Sequence, residues 1–265
     1  MYNEFLIFLF ESQLLPVILV ASLGLSVWGG RILGLYQKAH SGGGVRLKPD
    51  EISVGALFGL MSLLVTFTFS GAYDRFEKRR ILLVEEYNTI STAYQLVDVL
   101  PKPLQKRIRD DFRIMMDARI DLYSDVQDNQ VFEGRLQQFD KTSKQLWKDV
   151  LLAVNATPYP KYLVAAELLT AVSAMNDSLE RRKMALSQHP PKIIYAMLIF
   201  LLLVGAFLAG YNQGTTDSNN WTLVPIYVLV TVAIFYITIN LEHPLAGFIT
   251  LDEFRMEVAS LRNSM

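Results

Sequence analysis

The chain contains no cysteine and only three histidines, His40, His189 and His243. That excludes disulfides, thiolate metal sites and a cysteine nucleophile, and the histidines are too scattered to form a metal motif. There is no glycine-rich phosphate loop, no nucleophile elbow and no metal-ligand spacing. No segment shows the alternation of a half-buried strand. Net charge is −1 over 265 residues, which excludes a nucleic-acid surface of the usual basic kind. The most telling deficit is local. Between Lys192 and Asp217, and again between Asp217 and Glu242, no side chain carries a charge, and residues 12–30 and 52–73 are equally bare.

An apolar stretch of about eighteen residues or more is long enough to cross a bilayer as a helix. Residues 52–73 extend about 33 Å as a helix, against a hydrocarbon thickness of about 30 Å. Four such stretches predict an integral membrane protein with four spans, since soluble helices of that length carry a charged stripe outward. The charges that exist are concentrated: residues 73–192 hold 19 of the 25 Lys and Arg and 17 of the 26 Asp and Glu. A polar insert of that length has room for a core of its own. The domain division is therefore 1–72 with spans one and two, 73–190 as a polar helical domain, and 191–265 with spans three and four and a tail.

Residues 2–11 read as a short apolar surface segment rather than a cleavable signal, because Glu4 and Glu11 flank it where a signal would carry basic residues. Arg31 follows at once, so the span either ends there or continues with Arg31 snorkelling to the interface, as an anchor or as a pore-facing charge. The Lys and Arg bias places both termini and the insert in the cytoplasm: Arg75, Lys78, Arg79, Arg80, Arg181, Arg182, Lys183, Lys192 and Arg255 adjoin the membrane on that side, against Lys38, Arg46 and Lys48 in residues 37–51 and no positive charge in residues 212–220 on the other.

Within the insert, Ile81, Val84, Tyr87, Ile90, Tyr94 and Val97 recur at spacings of three and four and run without a breaker from the second span. One helix of nearly 50 residues is expected, ending at Pro101-Lys102-Pro103. Further helices follow from Leu104 until the pattern fades near Asp128-Asn129, from about Val131 to Val154, and from Lys161 to about Ser187, the last two bounded by Pro158, Pro160, Pro190 and Pro191. The fold class is all-α. The pairs Glu85-Glu86 and Asp110-Asp111 read as solvated helix faces, and Glu242 and His243 at the end of the fourth span as an interfacial pair or a gating pair.

The second span holds the candidate site. Gly55, Gly59, Ser62, Thr66 and Ser70 share one face, which suits either close helix packing or a pore wall. Leu63 and Phe67, one turn apart at its edge, suit an apolar constriction. Residues 55–94, GALFGLMSLLVTFTFSGAYDRFEKRRILLVEEYNTISTAY, resemble the second helix of bacterial bestrophin-like membrane proteins and, more loosely, the pore helix of bestrophin channels. Leu241-Glu242-His243-Pro244-Leu245-Ala246-Gly247 also resembles the bestrophin-like pattern. In bestrophins the helix carries a neck of apolar residues four apart, here Gly59, Leu63 and Phe67, before a Tyr-x-Arg-Trp step. Phe76 stands in place of the Trp, Gly59 leaves one neck level without a side chain, and Asp252-Glu253 is too short for the calcium clasp of animal bestrophins.

The resemblance implies a homo-oligomer, a pentamer, in the bacterial inner membrane. It would conduct inorganic ions passively, with Leu63, Phe67 and Gly59 at the constriction and Ser62, Thr66 and Ser70 lining the path. It implies no cofactor, no metal and no catalytic residue. The other reading is a non-conducting sensor or scaffold whose cytosolic bundle binds a protein partner.

Overall fold

The structure, a computed structural model, describes residues 14–40, 51–122, 129–216, 222–242 and 252–265. Eight α-helices account for nearly all of them: α1 Leu14–His40, α2 Glu51–Gln95, α3 Lys102–Leu122, α4 Asn129–Asn155, α5 Lys161–Ser187, α6 Lys192–Thr215, α7 Leu223–Glu242 and α8 Asp252–Ser264. A 3-10 turn, Leu96–Val99, follows α2. Four helices, α1, α2, α6 and α7, are long and apolar enough to cross a membrane. The protein is all-α, as its sequence predicts, and an integral membrane protein.

Prolines set the breaks. Leu100, which precedes Pro101, is extended with ψ of 157°, because the proline ring disfavours helical geometry one residue earlier. Gln188, between α5 and the Pro190-Pro191 step, is extended likewise. The first span does not stop at Arg31: α1 continues to His40. The predicted surface segment at residues 2–11 lies outside the described residues.

The chain forms two compact units, Met1–Phe76 with His189–Thr250, and Glu77–Gln188 with Leu251–Met265. The second unit thus takes in Leu251–Met265, a segment that sequence reading groups with the last two spans. In the first unit the core is Leu19, Leu23 and Val27 of α1, Met61 of α2, Leu198, Leu202 and Ala206 of α6, and Val232, Phe235 and Ile239 of α7. Helices α1 and α6 approach backbone to backbone. A Cβ on Gly34 would lie 2.5 Å from the Tyr211 carbonyl oxygen, and one on Gly214 2.5 Å from that of Arg31. Gly30 and Gly210 meet the carbonyls of Phe207 and Val27 more closely still. The hydroxyl of Ser26 donates across the seam to Leu203 O at 2.7 Å. Without hydrophobic drive between apolar helices in lipid, such close approach is what holds them together. Among the described residues these glycines, at 30 and 34 against 210 and 214, form a small-residue seam between α1 and α6.

In the second unit the core joins Ile90, Ala93 and Val97 to Phe112 and Met115 of α3, Leu146 and Val150 of α4, and Leu168 and Val172 of α5. Ile81 and Val84, expected inward, are exposed. The helix turns its other side in, and that side carries charge. Glu86 is 1% exposed and accepts from Arg119 Nε at 2.5 Å and Arg182 Nη1 at 2.7 Å. Its reading as a solvated residue is therefore wrong, whereas its neighbour Glu85 is exposed and paired with Arg181. Asp110-Asp111 divides in the same way. Asp110 is half-exposed and pairs with Arg113, while Asp111 faces buried Asp149, whose carboxylate is held by Arg107 and Gln145. Adjacent helical positions differ by about 100° in direction, so one member of each pair meets the bundle.

Candidate functional site

Helix α2 has two contrasting sides in the first unit. Met61, Thr68 and Ala72 are buried, with Phe58, Leu64 and Val65 packed against the same core. Phe58 meets Tyr227 edge to face at 6.1 Å between ring centres. The other side is left uncovered by the chain itself. Leu63 is 52% and Phe67 66% exposed, and Gly59, Ser62, Thr66 and Ser70 are exposed with them. A Cβ built on Gly55 or Gly59 meets nothing within 4 Å. Among the described residues, then, nothing packs closely on these two glycines, whereas the α1–α6 seam is packed through its glycines.

The hydroxyl of Thr66 donates to Ser62 O at 2.8 Å, four residues back. Its proton is thereby satisfied inside the helix, and its lone pairs are turned outward. All six predicted constriction and lining residues thus share one uncovered face, a ladder of apolar side chains beside polar oxygens.

Behind that face the structure assembles something the sequence reading did not. Arg75, at the end of the packed stripe of α2, donates from Nε to Glu242 Oε1 at 2.7 Å, with a second bond from Nη2. Glu242 is the last residue of α7 and is 1% exposed. His189, ahead of α6, places Nδ1 3.7 Å from Glu242 Oε2. Glu242 is a buried ion-paired carboxylate, because Arg75 and His189 come to it from two other segments. Its predicted companion His243 lies outside the described residues. Arg31 is half-buried on α1, its carbonyl beside Gly214 at the far end of α6 from His189. It is not brought to Glu242. Among the described residues no group of three or more His, Asp or Glu side chains is placed to hold a metal ion. The missed signal was available in part: Arg75 and Glu242 both stand in the stretches that carry the resemblance, at the membrane-proximal ends of apolar helices.

Residues 52–253 match the family model described as the bestrophin-like domain, well over half of the chain. The chain belongs to the bestrophin-like family. Its bestrophin-like fold is echoed in solved structures at low identity. A variant of a bacterial bestrophin homologue from Klebsiella pneumoniae shares 15% identity, with a TM-score of 0.61 over 92% of this chain and 99% of that one. Another structure of a bestrophin homologue from the same organism gives 14% identity and a TM-score of 0.59, covering 92% and 98%. A structure described as a membrane protein variant gives 12% and 0.64, covering 92% and 98%. No curated protein matches the chain in sequence.

Proposed function

We propose that this bestrophin-like protein is a passive ion channel, a homo-oligomer whose pore runs along the uncovered face of α2, pentameric by resemblance to bestrophins. The observation that carries the reading is the coincidence on that face. Leu63 and Phe67 are left open by their own chain beside Ser62, Thr66 and Ser70, while the opposite side of the helix is packed. Lipid has no use for hydroxyls and bare glycines, whereas a neighbouring copy and a water-filled path use both. Leu63 and Phe67 form the constriction, Gly59 leaves room above them, and the three hydroxyls line the path. An apolar ring narrow enough to shed its water blocks ions even when it is sterically open. The Lys and Arg bias supports cytoplasmic placement of both termini and of residues 73–190, in a bacterial inner membrane. Nothing in this reading needs a cofactor or a catalytic residue.

The test is salt flux from liposomes holding the purified chain. Phe67→Ala, alone or with Leu63→Ala, should raise flux well above the parent by letting water into the ring. Leu64→Ala, whose side chain packs inside the chain, should change it much less. If the parent and these variants leave the liposomes equally tight across salt, pH and voltage, the channel reading fails and a scaffold with a protein partner takes its place. A monomeric mass for gently extracted protein would sink the pore as well.

A further inference from the structure

A buried carboxylate at the end of a 20-residue apolar helix needs a reason. Ion pairs taken out of water gain little over well-packed apolar residues of the same size, so stability alone does not call for one. What this pair gives is a restricted geometry: Nε and Nη2 of Arg75 converge on one oxygen of Glu242, Oε1, which limits how α2 can turn against the end of α7. Glu242 is gripped in this way by Arg75, and its other oxygen faces His189. Three segments of the first unit therefore meet at one carboxylate: the end of the packed stripe of α2, the end of α7, and the approach to α6. Arg75 follows Phe67 by eight residues, about 12 Å along the same helix. Whatever sets the position of Arg75 also sets the tilt and rotation of the face that carries Leu63 and Phe67.

We propose that Glu242 is a positioning residue for the constriction: by gripping Arg75 and facing His189 it holds α2 where Leu63 and Phe67 keep the pore narrow. This rests on the channel reading. Glu242 touches no ion in this role. It acts through Arg75, and the side chains around it serve as a clamp on one helix.

The chain lacks cysteine, so a single nitroxide on Ser70→Cys reports the position of α2 without interference. In liposomes, Glu242→Gln should raise salt flux about ten-fold over the parent. Combined with Phe67→Ala it should add less than about two-fold to Phe67→Ala alone, because a ring already opened gains nothing from a released helix. Independent multiplication of the two effects would mark Glu242→Gln as unrelated damage and overturn the proposal. The Ser70 nitroxide spectrum of the detergent-extracted oligomer should change in Glu242→Gln and not in Leu64→Ala. An unchanged spectrum overturns the assignment whatever the flux. A changed spectrum with every liposome tight, Phe67→Ala included, keeps the positioning role and removes the channel reading alone. Should Glu242→Gln not yield folded protein, Arg75→Lys replaces it under the same criteria, since it keeps the charge and loses the two-nitrogen grip.

Discussion

Replacing Arg119 by methionine isolates the buried charge of the second unit. Arg119 and Arg182 are the two guanidiniums that hold Glu86, and all three side chains are buried. Methionine preserves the length and most of the volume of the arginine stem, so the change removes charge and donors with little cavity. Breaking a buried ion pair from one side costs about 3–5 kcal/mol, and because Arg182 still holds one oxygen the lower end applies, about 3 kcal/mol. At about 2–4 °C per kcal/mol for a chain of this size, the melting transition should fall by about 6–12 °C. Burial raises the Glu86 carboxyl above its ordinary value, and the charge and hydrogen bond of Arg119 oppose that rise. Without Arg119 the opposition weakens, so the variant should lose further stability as pH rises through the folded value, and the gap to the parent should narrow in acid. The assay is thermal unfolding of the full chain in detergent, followed by helical circular dichroism across pH. Substituting Glu86→Met, Arg119→Met and Arg182→Met together removes every charge at once and should be less harmful than Arg119→Met alone. A single variant that melts within about 2 °C of the parent, or a triple variant that sums the single losses, refutes the reasoning.

Gly210→Ala should destabilise the chain by about 3 kcal/mol, because its Cβ meets the Val27 backbone, which cannot step aside. Gly59→Ala should leave the unfolding of the chain within about 0.5 kcal/mol of the parent while weakening assembly, as native mass and thermal melts would show together. Asp111 is raised to about 6, first by desolvation and then by Asp149. Its protonated form therefore favours the fold below about pH 4, its ordinary range, and that stability is lost as pH rises through about 6. Asp111→Asn should gain about 1 kcal/mol over the parent at pH 7.5, after allowance for solvent screening, and nothing at pH 3.5, read from denaturant midpoints.

Much of this was legible in the sequence because hydropathy and proline act locally. Four charge-free runs, the polar Asp128-Asn129 step and the breaks at Pro101, Pro158, Pro160, Pro190 and Pro191 place the first seven helices, α8 being read only as a tail, and the small polar face of α2 can be drawn from spacing alone. What escaped depends on contacts between distant segments. Glu86 and Asp111 look like half of an exposed pair until the bundle shows which neighbour it covers. Nothing in the sequence says that Arg75 and His189 close on Glu242. The glycines of α1 carry no visible purpose in the sequence, yet with Gly210 and Gly214 on α6 they bring the two backbones into direct contact. Two matching pairs spaced by four were visible, but nothing in either alone says which face it seeks.

The α1–α6 seam also fixes an order of events in the making of the protein. Ser26 and its acceptor Leu203 are 177 residues apart. At about 5–20 residues per second the ribosome needs roughly 10–35 s to travel between them. For that interval α1 sits in the bilayer with its glycine groove unfilled, while α2 and the Glu77–Gln188 part of the polar unit are synthesised. A groove so bare is an invitation to any passing small-residue helix, and the nascent chain must either be shielded by the insertion machinery or tolerate transient partners until α6 arrives.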